Sequence, residues 1–220
     1  MAKLSSQFAS ISPGMDVDTA TDGLVSTMKA YDINYTDVLD GIMSKINEIG
    51  NTAATSNDEI VDMLTRSSAA MAEANNTLDE TIALETAAVE ITRSAETTGT
   101  TFKTVAMRLR GYDEEGEMLE DYEDLKGKIA DLTKTEKTPG GISLFRDADK
   151  TEFKSTYEIL RDIHEVYDDL TDKNQASLLE AIAGKRGGQV VGSILNNWEA
   201  VDKALQNMKE SAGKINYLYV

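Results

Sequence analysis

Side chains able to do chemistry are few in this 220-residue sequence and fall in four places. The single histidine, His164, has Asp168 four residues on, one helical turn away, the spacing at which a carboxylate could orient an imidazole as a general base. A base alone is not a site. There is no cysteine, and no serine or threonine beside His164 stands in a recognisable nucleophile turn, so the partners that a catalytic constellation needs are missing locally. His164 is therefore read as a boundary histidine, and no catalytic residue is assigned, although a serine brought in from elsewhere in the chain would leave no trace here.

The second place is Asp113 to Asp124, DEEGEMLEDYED, with eight acids and no base. Carboxylates are ligands for hard cations, but a calcium loop spaces them as Asp-x-Asp-x-Asp-Gly with a terminal bidentate Glu. That spacing is absent, so the run reads as a solvated face and no metal is assigned. The third place, Gly184-Lys185-Arg186-Gly187-Gly188, is glycine-rich and basic, with apolar-periodic segments on either side. Glycines let backbone amides approach an anion. A phosphate loop, however, wants a buried strand before it and a Ser or Thr after its Lys, and neither is present. The five residues are expected to form a helix C-cap and turn, with Gly184 left-handed, Lys185-Arg186 against the helix C-terminal dipole, and a new helix starting at Gln189. They form, with Trp198, a candidate packing or interaction hinge. Trp198, the fourth place, is read as core. No cofactor is assigned.

The elements that must hold these residues are helical. Only two prolines occur, at Pro13 and Pro139, and Ala, Leu, Glu, Met and Lys favour helix. Residues 1–15 read as a flexible lead-in ending at Ser12-Pro13-Gly14. A helical region over 16–111 follows. Asp18 or Thr19 caps its first helix and Thr36 its second, whose stripe Val38, Leu39, Ile42, Ile46 and Ile49 stops at a left-handed Gly50-Asn51. Ser56 with Glu59 and Thr77 with Glu80 form capping boxes. The Thr77 helix is apolar on more than one side, with Glu85 interrupting, so it is placed centrally. Beyond Thr97-Thr98-Gly99, Phe102, Val105, Ala106 and Leu109 make another stripe. Residues 112–141 read as an acidic insertion or linker ending at Pro139-Gly140-Gly141, and 142–213 as a second helical region with the glycine hinge. Within it 142–153 has the pattern of a small β-hairpin, 155–170 of a strong helix, and the last helix runs through Trp198 to Gly213. Residues 214–220 form a tail. The expected fold is all-α, a multi-helix array of antiparallel helical hairpins.

Twenty-two basic against 39 acidic residues give a formal charge of −17. That balance opposes direct nucleic-acid binding unless the cations are segregated, and they are not beyond Lys185-Arg186. No run approaches the roughly 20 apolar residues of a membrane span. A structural or interaction protein fits this composition better than an enzyme does. One such reading is an acidic helical scaffold or chaperone-like module of the host cytoplasm.

Several segments taken in order carry a sharper reading: ATDGLVSTMKA (20–30), INEIGN (46–51), ANNTLDETIAL (74–84), GTTFKTVAMRLRG (99–111), FKSTYEIL (153–160), IAGKR (182–186) and LNN (195–197). Over about residues 16–205 this order resembles the core region of bacteriophage tail tape measure proteins. Members of that family are usually longer, so the resemblance implies that these 220 residues are part of a larger chain. It also implies a virion component in the tail lumen, present in the host cytoplasm during assembly, that helps set tail length and template tube assembly. Its implied partners are tail-tube subunits, tail assembly chaperones, tail-tip proteins and further copies of itself. The physical basis of a ruler is simple: a continuous helix advances about 1.5 Å per residue, so this length corresponds to at most about 330 Å.

Overall fold

Hydroxyls and carboxylates cap six of the helix starts among the described residues. In the computed structural model, which describes residues 1–113 and 115–211, both anticipated capping boxes are present. The Ser56 amide donates to Glu59 Oε2 at 3.0 Å and the Thr77 amide to Glu80 Oε2 at 2.8 Å, each answered by the reciprocal bond. They open α4 (Asn57–Glu73) and α5 (Leu78–Thr92). A third box, Ser155 with Glu158, opens α8 (Thr156–Tyr167), and Thr171 caps α9 (Asp172–Leu195). Three starts differ from expectation. Asp16, not Asp18 or Thr19, caps α2 (Val17–Ala30), because its carboxylate lies 2.7 Å from the Thr19 amide. Thr36 caps nothing: the chain passes through a 3-10 turn (Tyr35–Asp37) and a π turn (Leu39–Met43) into α3 (Ser44–Thr52). Ser94 opens α6 (Ala95–Leu109), so Thr97-Thr98-Gly99 lies inside a helix.

The ends show similar substitutions of mechanism. Gly50 is not left-handed; it is glycine because the Asn57 side chain lies against it, and the helix runs on to Thr52. Residues 2–10, within the expected lead-in, form α1, which buries Phe8 completely against α2. Within 112–141, α7 (Tyr122–Leu132) sets Leu125 and Ile129 into the core and packs on α9. The 142–153 pattern yields one antiparallel bridge, Phe145 to Phe153, and no strand. Asp147 explains why: its carboxylate takes the amides of Thr151 and Glu152 at about 3 Å, winding the chain into a loop before a second pair can form. α10 (Trp198–Lys209) closes the described chain, with a break at Asn196-Asn197 where a continuous helix was expected. Gly213 and the 214–220 tail lie outside the described residues.

The fold is all-α. α5 runs through its middle, buried continuously from Thr81 to Val89, with α4, α6, α9 and α10 packed around it. α6 crosses α4 almost backbone to backbone, because a Cβ on Gly99 would lie 2.8 Å from the Met63 carbonyl oxygen. A single cluster of buried side chains extends from Phe8 to Met208. At about 25 cal/mol per Å² of apolar surface, that shared core is what holds marginal individual helices together. Among the described residues no helix is long and apolar enough to cross a membrane.

Candidate interaction site at the α9 kink

α9 is two helices joined at one residue. Gly184 has φ 67° and ψ 177°, a combination open essentially to glycine alone. The φ is positive as expected, but ψ is extended, so this is a sharp corner and not a left-handed cap. The corner folds the arms onto each other. A Cβ on Gly188 would meet the Leu179 Cβ at 3.4 Å, and one on Gly192 the Leu179 Cδ1 at 3.1 Å. In a straight helix those positions would lie about 13.5 and 19.5 Å from Leu179 along the axis. The second arm begins at Lys185 and not at Gln189, so Gly187 and Gly188 are helical and take no part in the turn. They are small because the arms and α6 approach there: a Cβ on Gly187 would fall 2.8 Å from Thr101 Cγ2.

α6 fastens this corner. Arg108 donates from Nε and a terminal nitrogen to the Ala181 carbonyl, both at 3.2 Å, just before the turn. Between α6 and the corner lies a cavity of about 470 Å³ lined by Thr100, Thr101, Thr104, Ala183, Lys185 and Arg186, among others. Lys185 and Arg186 are exposed at its mouth and, among the described residues, pair with no carboxylate. Glu96, on the same rim, is turned toward Arg66 at 3.9 Å. The threonines were not foreseen as site residues. Their signal in the sequence is the run Thr97, Thr98, Thr100, Thr101 and Thr104 around Gly99, too rich in hydroxyls for a purely apolar face.

Trp198 is not part of this constellation. The second arm puts about 16 Å of helix between the corner and Leu195, and three residues on Trp198 opens α10 at 5% exposure against Tyr157 and His164. His164 is a clamp. Its ring stacks on Trp198 at 5.3 Å and 11°, and its Nδ1 lies 2.8 Å from the Leu195 carbonyl, so Nδ1 carries the proton and donates. Asp168 is exposed and does not bond to it. One imidazole thus ties α8 to the end of α9 and the start of α10. His164→Ala is expected to cost about 2 kcal/mol through the lost hydrogen bond and ring contact, read as a melting temperature lower by about 5 °C. An unchanged melt would remove the clamp role.

The acidic run is also shaped. Asp113 spends its carboxylate on its own loop, taking the Glu115 and Glu117 amides at 3.0 and 2.8 Å. A bridge between Tyr112 and Met118 closes the loop. A larger cavity, about 620 Å³, lies nearby between the ends of α4 and α6; its Arg110 stacks 4.4 Å over Phe153 and donates to the Lys154 carbonyl. Burial of that guanidinium lowers its pKa.

Comparison with known protein families gives a match. The model of the phage-related minor tail protein family matches residues 1–184. No curated protein and no solved structure matches the chain.

Proposed function

As a member of the phage-related minor tail protein family, to which it belongs, this chain is a structural phage tail protein, and we propose that within the tail it acts as part of a tape measure. The match over residues 1–184 covers the tape-measure-like segments from Ala20 through Leu160 and the start of the one at 182–186, and that coincidence carries the reading. On this proposal the chain lies in the tail lumen of the virion, having met its partners in the host cytoplasm: tail-tube subunits, tail assembly chaperones and tail-tip proteins. It contributes length and a template, not catalysis. The occupied state of His164, stacked on one side and hydrogen-bonded through Nδ1, supports a non-enzymatic reading.

The packed fold makes the ruler measurable. A domain of this size has a radius of gyration of about 17 Å and is roughly 45 Å across, against about 330 Å for one continuous helix. An in-frame deletion of the segment should shorten tails in electron micrographs, by roughly 45 Å if it stays packed in the tail and by about 330 Å if it extends. Unchanged tail length would sink the ruler role.

Lys185 and Arg186 are the residues expected to matter for assembly without mattering for folding. Both are exposed, so Lys185→Ala with Arg186→Ala should move stability by no more than about 0.5 kcal/mol. The yield of complete tails should nonetheless fall. Wild-type yield from the double variant would remove these two side chains from assembly.

A further inference from the structure

The cavity beneath Lys185 and Arg186 is furnished for an acidic guest. In a chain of net charge −17, two adjacent cations stand exposed without a carboxylate partner among the described residues. Behind them Thr101 and Thr104, at 6% and 7% exposure, line the same cavity, and their hydroxyls make no hydrogen bond within the described residues. Both oxygens stay open to the cavity, unlike the sealed, unpartnered hydroxyls of Ser67 and Thr86 in the core. Two open hydroxyl donors beside two cations that form no ion pair suit an oxygen-bearing anionic group, opposed on the rim by the single carboxylate of Glu96, and the threonine methyls and Ala183 leave room for an apolar side chain next to it.

The same chain carries a guest of that description. The loop after α6 is pinned by Asp113, by the Leu119 amide donating to the Gly111 carbonyl at 2.8 Å, and by the Tyr112–Met118 bridge. It presents Glu115, Glu117, Glu120 and Asp121 exposed and unpaired, with Met118 between them at 76% exposure. Because Asp113 and residues 115–119 are already held by these bonds, little ordering cost opposes docking of Glu115, Glu117 and Met118. It cannot reach its own cavity as folded, since it leaves α6 about 15 Å beyond Thr101 along the helix axis.

We propose that Glu115, Glu117 and Met118 of one molecule dock into the Lys185-Arg186 cavity of a second copy, the carboxylates meeting the two cations and threonine hydroxyls and the methionine entering beside Ala183. Loop and cavity are different surfaces, so the contact is heterologous and repeats head to tail. The inference goes beyond the ruler reading and does not need it.

Sedimentation velocity on the purified chain tests it. Wild type should associate with rising concentration at low salt and dissociate when salt is raised, because the contact is charged and near the surface. Lys185→Glu with Arg186→Glu, and separately Glu115→Lys with Glu117→Lys, should each weaken association at least about a hundredfold by setting like charges together. Circular dichroism melts matching wild type would show that both variants fold. Mixing the two variants should restore assembly, since each carries the half that complements the other. Monomeric wild type at every concentration, either variant associating like wild type, or a mixture that stays monomeric would overturn the proposal. The purified chain is measured alone, so failure here leaves the ruler reading standing, and altered tail lengths leave this contact untouched.

Discussion

Unfolding free energy should fall as pH rises from about 4.5 to about 8, and Glu85→Gln should abolish most of that slope. Glu85 sits in the middle of α5 at 1% exposure, and neither carboxyl oxygen has a hydrogen bond of good geometry. Burial pushes its pKa from 4.5 up to about 8, tempered by the Ser67 hydroxyl on α4 and reinforced by Asp62 on the same helix. Tyr31, at the end of α2, turns its hydroxyl to Thr81 one turn before Glu85, and burial raises it too. The sign follows from proton counting. Between the two pKa values the folded chain holds a proton on Glu85 that the unfolded chain releases, so stability is fully present below about 4.5 and lost as pH climbs through 8. The full swing is on the order of 5 kcal/mol at 1.36 kcal/mol per pH unit, a large part of the 5–15 kcal/mol available to a domain. Self-repulsion at a net charge of −17 also grows with pH, but it acts equally on the Gln variant. Denaturant titrations of both proteins across this range decide the matter: parallel curves would show that Glu85 is not held neutral. Below about pH 4 the order reverses, because Asp16, Asp147 and Glu158 have depressed pKa values and their stabilisation is lost as they protonate.

Glu85 also shows where sequence patterning stops. A lone acid in the apolar run Ile82 to Val89 breaks one face of a helix, and that much is visible from periodicity. Which face turns inward is decided by neighbours. α5 has neighbours on every side, so no orientation returns Glu85 to water. The capping boxes at Ser56 and Thr77 were legible because each is complete within four residues and owes nothing to tertiary structure. Gly50 and Gly99 were not, because what forbids a side chain there is Asn57 in one case and the Met63 backbone of another helix in the other. Asp147 likewise out-competed a hairpin pattern through bonds formed only once the loop had closed.

The hinge was legible in part for the same reason. A glycine followed by a basic pair marks the end of an arm, and the chain does turn at Gly184. Local pattern could not separate the glycine that turns from the glycines that make room. Gly187 and Gly188 serve contacts to Thr101 and Leu179 that no window around them contains. Nor could it see that the threonines of α6 would form the floor beneath Lys185 and Arg186, since the two stretches lie some eighty residues apart.

Gly184→Val separates these roles and carries the second-largest expected effect, a loss of about 3 kcal/mol. No atom lies within 4 Å of a Cβ placed there, so crowding contributes nothing and the cost is carried by the backbone. At φ 67° and ψ 177° a β-branched residue sits at the upper end of the 1–3 kcal/mol range for such conformations. Straightening the helix would relieve that strain. It would also take Leu179 off Gly188 and Gly192 and draw Ala181 away from Arg108, so the fold resists it. Melting temperature should therefore drop by about 6–12 °C. The control is Gly127→Ala, in the body of α7, where there is likewise nothing within 4 Å but φ is not positive; it should gain up to about 1 kcal/mol. Two additions of carbon into open space would then move stability in opposite directions. If both raised the melting temperature, the corner at Gly184 would not need glycine, and the arms that hold Lys185 and Arg186 over the threonines would be set by packing alone.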